Sequence, residues 1–301
     1  MSTRRLRNAA FVLVPALLLT IVLLPAVTEP TNDFRFSILG DRTGSTQPGI
    51  YGRVWREVDL LHPDFVINVG DTIQGGTDAA AAKEWRELRP FFAQYNRYPL
   101  YFTPGNHDVF SKTSQSLYEQ ETGRPVQYGF NYQDAHFTVL DNSRSLELSA
   151  GQLEFLELDL VKNKDRSPKF IFFHQPFWIP LIKLGASNFP LHQLALKYGV
   201  THIVSGHGHQ FLRMTRDGVS YIEVGSSGAH MTAALELGHG FKQGRFYHHV
   251  WGRVKGNKVE LTVKEIDGAG GAGRMFDAAQ WDEGGPRFDP ADPGRPIGKT
   301  Q

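Results

Sequence analysis

The sequence predicts an α/β fold with a mixed sheet, on three observations. Short runs rich in β-branched and aromatic residues alternate with amphipathic stretches from Phe34 onward, as in a layered body of strands and helices. One pair of runs reads as an antiparallel hairpin, and the region after Gly206 is β-rich. In chain order, Phe34 to Leu39, Phe65 to Val69, Leu100 to Thr103, Lys169 to Phe173 and His202 to Ser205 read as strands. Ile50, Val54, Val58 and Leu61 recur at helical spacing, as do Trp85, Leu88 and Phe92, with Thr77 a candidate cap for the second helix. Tyr128 to Tyr132 and His136 to Leu140 flank Gln133-Asp134-Ala135 as a hairpin. Ser149 with Gln152 makes a capping box opening a helix to about Lys162. Phe211 to Met214, Val219 to Val224, Phe246 to Val254 and Val259 to Glu265 complete the strands, the last two joined across Lys255-Gly256-Asn257-Lys258. Gly, Pro and Asp dominate residues 267–301, which read as a flexible tail, so the folded domain is 31–266.

Composition narrows the chemistry. Of 301 residues, 41% are hydrophobic and 12% aromatic, enough for a sizeable core. Lys and Arg number 32 against 31 Asp and Glu, so the balance gives no electrostatic case for nucleic-acid binding and suits a small polar substrate. The chain has no Cys, which excludes disulfides, thiolate metal sites and a Cys nucleophile. Any metal must use oxygen and imidazole. No strand-associated glycine loop carries Gly-Lys-Ser/Thr, and no Gly-x-Ser-x-Gly elbow appears. At the amino terminus Arg4, Arg5 and Arg7 precede an uncharged, mostly apolar run of 19 residues, Ala9 to Val27. Residues 1–30 therefore read as a signal peptide or a membrane anchor, which puts the rest of the chain in an extracytoplasmic location.

The informative residues lie immediately after each of the five strands, because ligands of α/β sheets bind where the carboxyl ends of strands converge. Those positions carry Gly40-Asp41-Arg42, Gly70-Asp71-Thr72, Pro104-Gly105-Asn106-His107-Asp108, His174 and Gly206-His207-Gly208-His209. Gathered carboxylates repel unless a cation or a proton lies between them. Asp41, Asp71, Asn106, His174, His207 and His209 exceed what one tetrahedral ion takes, so two divalent or trivalent ions sharing a carboxylate fit better, with Mn, Fe and Zn as candidates. Arg42, beside them, offers a fixed positive charge for an anionic substrate group.

In order and spacing these pieces resemble the calcineurin-like metallophosphoesterase superfamily, whose blocks run Asp-x-His, Gly-Asp, Gly-Asn-His-Asp/Glu, His and Gly-His-x-His. The resemblance covers about Phe34 to Glu265. It implies a four-layer α/β sandwich of two mixed sheets flanked by helices. It also implies that Asp71 bridges two ions, with Asp41 and His209 on one and Asn106, His174 and His207 on the other. His107 is the implied catalytic and substrate-binding imidazole, steered by Asp108. The chain departs from the pattern at Thr43, where the first block ends in His. Purple acid phosphatases of the same superfamily lack that His as well and place a Tyr three residues after the bridging Asp, where this chain has Gln74. The first ion then holds Asp41, Asp71 and His209, with water, Thr43 or the Gln74 amide completing its shell.

The chemistry such a site supports is hydrolysis of a phosphomonoester or phosphodiester, in which two cations clamp phosphoryl oxygens and hold a bridging water as hydroxide. The expected partners are a small phosphate ester or a phospholipid head group, with membrane contact through the amino-terminal segment. A catalytically silent binding or scaffold protein of the same fold is the alternative.

Overall fold

Period-two alternation builds the core. In strand β1 (Asp33–Leu39) Phe34, Phe36 and Ile38 face one side; in β2 (Phe65–Asn68) Phe65 and Ile67 do the same; and in β6 (Lys169–Phe172) Phe170 and Phe172 answer them from a second sheet. Ile171 and Phe173 turn to the opposite face of that second sheet, and Val66 to the outer face of the first. Phe36 lies against Phe65 with ring centroids 5.1 Å apart and meets Phe137 edge-on at 5.7 Å. These observations come from a computed structural model that describes residues 32–231, 239–266, 273–282 and 285–296.

The first sheet contains β1, β2, β3 (Leu100–Tyr101), β10 (His248–Lys255), β11 (Lys258–Glu265) and β12 (Met275–Asp277), in the order β12-β11-β10-β1-β2-β3. β1, β2 and β3 are parallel, and β10 runs antiparallel beside β1. The second sheet contains β4 (Tyr128–Tyr132), β5 (Ala135–Val139), β6, β7 (His202–Ser205), β8 (Phe211–Arg216) and β9 (Val219–Val224), in the order β4-β5-β6-β7-β9-β8. There β5, β6, β7 and β9 are parallel, with antiparallel edges at β4 and β8.

Helices cover both outer faces. α1 (Ile50–Leu61) buries Val54, Trp55 and Val58 on the first sheet; α2 (Asp78–Phe92) and α3 (Lys112–Thr122) pack together around Trp85 and Tyr118. α4 (Ala150–Lys162), α5 (Trp178–Lys183) and α6 (Pro190–Tyr198) cover the second sheet through Leu156, Trp178 and Leu191. The result is the expected four-layer α/β sandwich of two mixed sheets.

Four details differ from the sequence reading. β3 stops at Tyr101 because Thr103 is diverted: its N–H donates to Asn68 Oδ1 (2.9 Å) and its hydroxyl to the Asn68 carbonyl (2.7 Å). Ser149 caps α4 by accepting from the Gln152 N–H, yet the reciprocal half of the box is absent, since the Gln152 side chain accepts instead from the Asp141 N–H (2.8 Å). α3, α5 and α6 have no counterpart in the sequence reading. Part of the stretch read as a flexible tail is structured: β12 pairs with β11, and Phe276, Trp281 and Phe288 are buried in the main core. Three large aromatic side chains supply apolar burial that the surrounding Gly and Asp obscured. The expected leader, residues 1–30, lies outside the described residues, among which no helix is long and apolar enough to cross a membrane.

Candidate metal centre

The parallel strands end on one rim, and the loops after them bring the polar residues together. Asp41 follows β1 and is fully buried; its Oδ2 accepts from the His207 N–H at 2.8 Å, while its Oδ1 is buried with no hydrogen bond among the described residues. Asp71 follows β2 and is also buried. Its Oδ1 accepts from the His107 N–H (2.9 Å) and its Oδ2 lies 3.2 Å from His174 Nε2. Space is tight enough to fix glycines: a Cβ at Gly105 would stand 2.2 Å from Asp71 Oδ1, and one at Gly206 would stand 2.3 Å from Asp41 Oδ1.

His174, directly after β6, has its tautomer fixed. Its Nδ1 lies 2.8 Å from the Val69 carbonyl and donates to it, which points Nε2 inward. That nitrogen meets Asn106 Oδ1 at 3.0 Å and His207 Nδ1 at 3.2 Å, and Asn106 Oδ1 is 2.9 Å from His207 Nδ1. On the other side His209 donates from Nδ1 to the His230 carbonyl (2.9 Å), leaving Nε2 3.5 Å from Asp41 Oδ2. Asp71, His174 and His207 thus form one group of converging ligand atoms, and Asp41, Asp71 and His209 another, with Asp71 common to both. Asp71, His207 and His209 adopt left-handed backbone, with φ of 53°, 75° and 52°. Such conformations cost about 1–3 kcal/mol each and persist where the surroundings impose them.

The electrostatics ask for a cation. Burial alone would lower His174, but the adjacent Asp71 carboxylate reverses this and pushes it up to about 10. Burial pushes Asp41 well above the usual carboxylate range; the His174 charge opposes this and Asp71 adds to it. Burial, then the neighbouring His174 charge, lowers His207 to about 4. Carboxylate, amide and imidazole atoms converging in two groups, and an orphaned buried carboxylate oxygen, fit metal ions held by oxygen and nitrogen.

Two expected roles change. Asp108 does not steer the His107 ring. Its carboxylate accepts three main-chain N–H groups, from Thr72 (2.9 Å), Ile73 (3.0 Å) and Gly105 (3.0 Å), and so ties the loop after β3 to the loop after β2. The ring is held by the Gln74 carbonyl, 2.6 Å from His107 Nδ1, which leaves Nε2 for a ligand. Nor is the Gln74 amide oxygen free to complete a metal shell: it accepts from the Thr43 hydroxyl (2.6 Å), the Ser45 N–H (3.0 Å) and the Gly44 N–H (3.3 Å). Arg42 lies beside the cluster with Nη1 donating to the Thr72 carbonyl (2.8 Å) and its guanidinium 5.9 Å from the Tyr51 ring centre.

Sequence reasoning passed over Glu223. It is fully buried in β9, opposite Ser205, just beneath the loop that carries His207 and His209. A charged residue inside the apolar run Tyr221-Ile222-Glu223-Val224 was the available signal. His230 also matters through its carbonyl, although its own ring is exposed.

Comparison with known proteins agrees with this geometry. The model of the calcineurin-like phosphoesterase family matches residues 34–211, more than half of the chain. Tartrate-resistant acid phosphatase type 5 of the rabbit, Oryctolagus cuniculus, is 24% identical over 82% of this chain and 90% of that protein. Among solved structures, purple acid phosphatase PPD1 from yellow lupin (Lupinus luteus) seeds superposes with a TM-score of 0.56 at 17% identity, covering 82% of this chain and 53% of the lupin chain. This chain therefore spans about half the length of the plant enzyme. GAP50, described as the anchor in the inner membrane complex of Plasmodium, superposes with a TM-score of 0.57 at 16% identity, covering 81% of this chain and 88% of its own. With the family match spanning the strand ends from Asp41 to His209, the chain belongs to the calcineurin-like phosphoesterase family.

Proposed function

We propose that this protein hydrolyses a phosphoric ester, mono or di, at a centre that takes two metal ions. The observation that carries the reading is the pair of ligand groups sharing Asp71. Asn106, His174 and His207 would hold one ion with Asp71, and Asp41 and His209 the other. Two cations so held supply Lewis-acid charge to phosphoryl oxygens and lower the pKa of water, which is the chemistry that cleaves phosphate esters near neutrality.

The protein's own groups do the rest. His107 presents Nε2, because Gln74 holds Nδ1, and hydrogen-bonds the phosphoryl or leaving oxygen; a positioned imidazole of this kind contributes about 10² to 10⁴ in rate. Arg42 adds positive charge at the rim. Asp108 fixes the His107 backbone relative to Asp71 by its three accepted hydrogen bonds. The ions are inequivalent: with the Thr43 hydroxyl and the Gln74 oxygen bound to each other, the Asp41 side has three protein donors and is the weaker, exchangeable position.

The substrate is a small phosphate ester or a phospholipid head group, and we place the protein outside the cytoplasm, exported or tethered through residues 9–27. Support for this placement is the basic flank followed by the apolar run. The deciding assay uses purified protein from Thr31 with added Mn, Zn or Fe, comparing p-nitrophenyl phosphate with its bis ester. Metal-dependent turnover of either supports the proposal. Metal bound in stoichiometric amount with no hydrolysis of any ester selects the silent-scaffold reading, which the three-donor site favours.

A further inference from the structure

We propose that Glu223 is a positioning residue whose carboxylate seats the His207-Gly208-His209 segment from below through its contact with Gly208. The proposal rests on the metal-centre reading. The segment crosses the carboxyl end of β7, and both histidines in it are left-handed. Hydrogen bonds fix the two ends of the loop: Asp41 takes the His207 N–H, and the Gln210 carbonyl takes the Gly225 N–H at 2.8 Å. Its middle rests on Glu223.

Three facts make that contact specific. Glu223 is fully buried, and its Oε2 accepts from Gln210 Nε2 at 3.0 Å, one residue past His209. Its Oε1 makes no hydrogen bond among the described residues and lies 2.0 Å from where a Cβ at position 208 would stand. A side chain there would displace either the carboxylate or the loop, so Glu223 imposes the glycine between the two ligands. Groups that orient metal ligands in this way are worth about 10- to 100-fold in metal affinity.

The test is a double-mutant cycle on the full chain, reading Mn and Zn affinity by competition with a chromophoric chelator and the melting temperature of the metal-free protein. Gly208→Ala alone is expected to weaken metal binding at least about tenfold while the metal-free protein still melts cooperatively. Gly208→Ala with Glu223→Ala, which opens room for the methyl group, is expected to recover affinity relative to Gly208→Ala alone. Glu223→Gln keeps the shape, removes the charge and is expected to stay within about threefold of the parent, well inside the tenfold scale of an orienting group. Additive losses in the double variant, or parental affinity in Gly208→Ala, overturn the proposal. A loss beyond tenfold in Glu223→Gln also overturns it, because the charge and not the seat would then be the active feature. A parent that binds no metal refutes the underlying reading, an outcome distinct from each of these.

Discussion

Loading the ion at His174 should release one proton near neutral pH. In the metal-free protein Asp71, 3.2 Å from His174 Nε2, pushes that imidazole up to about 10, so it is charged throughout the physiological range. A metal needs the same nitrogen unprotonated. The other ligands of this ion contribute no proton: His207 is lowered to about 4, first by burial, and Asp71 lies below the ordinary carboxylate value because the His174 charge and hydrogen bond outweigh its burial. Affinity at this position therefore rises about tenfold per pH unit below pH 10, or about 100-fold from pH 6 to pH 8, equivalent to about 2.7 kcal/mol. Isothermal titration calorimetry in two buffers of different ionisation heat counts the protons directly. In Asp71→Asn the cause of the upward shift is gone, burial keeps His174 neutral, and release at pH 7 should vanish along with most of the affinity. A parent that binds its first ion at pH 7 without releasing a proton would refute this reasoning.

The same geometry sets three further outcomes. His107→Ala should retain both ions and lose about 10²- to 10⁴-fold in kcat, whereas Asp71→Asn should lose metal and turnover together; metal analysis beside steady-state kinetics separates the two. Asp108→Ala strands three buried N–H groups at about 1–3 kcal/mol each, so urea unfolding should show a loss of at least about 3 kcal/mol, and a stability change below about 1 kcal/mol would contradict its loop-tying role. Metal-free protein should become less stable as pH rises. His174 is raised above its unfolded value near 6.5, so its stabilisation is complete below pH 6.5 and lost on the way to pH 10. A melting temperature of the metal-free protein that climbs between pH 7 and pH 9 would count against the charged His174.

How much of the molecule is legible in the sequence depends on the range of the interaction. The strands around Phe36, Ile67, Phe170 and Ile203 are legible because alternating apolar residues dictate burial locally. The six candidate ligands are legible because each lies in a loop that leaves the end of a strand whose direction fixes where it ends. Asp108 is misread because its partners Thr72 and Ile73 lie 36 and 35 residues away, and nothing near His107 in the sequence distinguishes a ring-orienting carboxylate from a loop-tying one. Gln74 reveals its double use only in three dimensions, with its carbonyl on the His107 ring and its amide oxygen on Thr43. The segment around Phe276, Trp281 and Phe288 hides within Gly- and Asp-rich sequence. Its order comes from packing against Phe241 and Phe246, which local composition does not encode.

The position of bound metal is the most direct test of a shared-carboxylate centre. Crystals soaked in Mn and measured for anomalous scattering should show two peaks about 3.5–4 Å apart. One is expected among Asn106, His174 and His207, the other between Asp41 and His209, with Asp71 touching both and the Asp41 peak weaker. No peak at the strand ends, or a single peak away from Asp71, would contradict it.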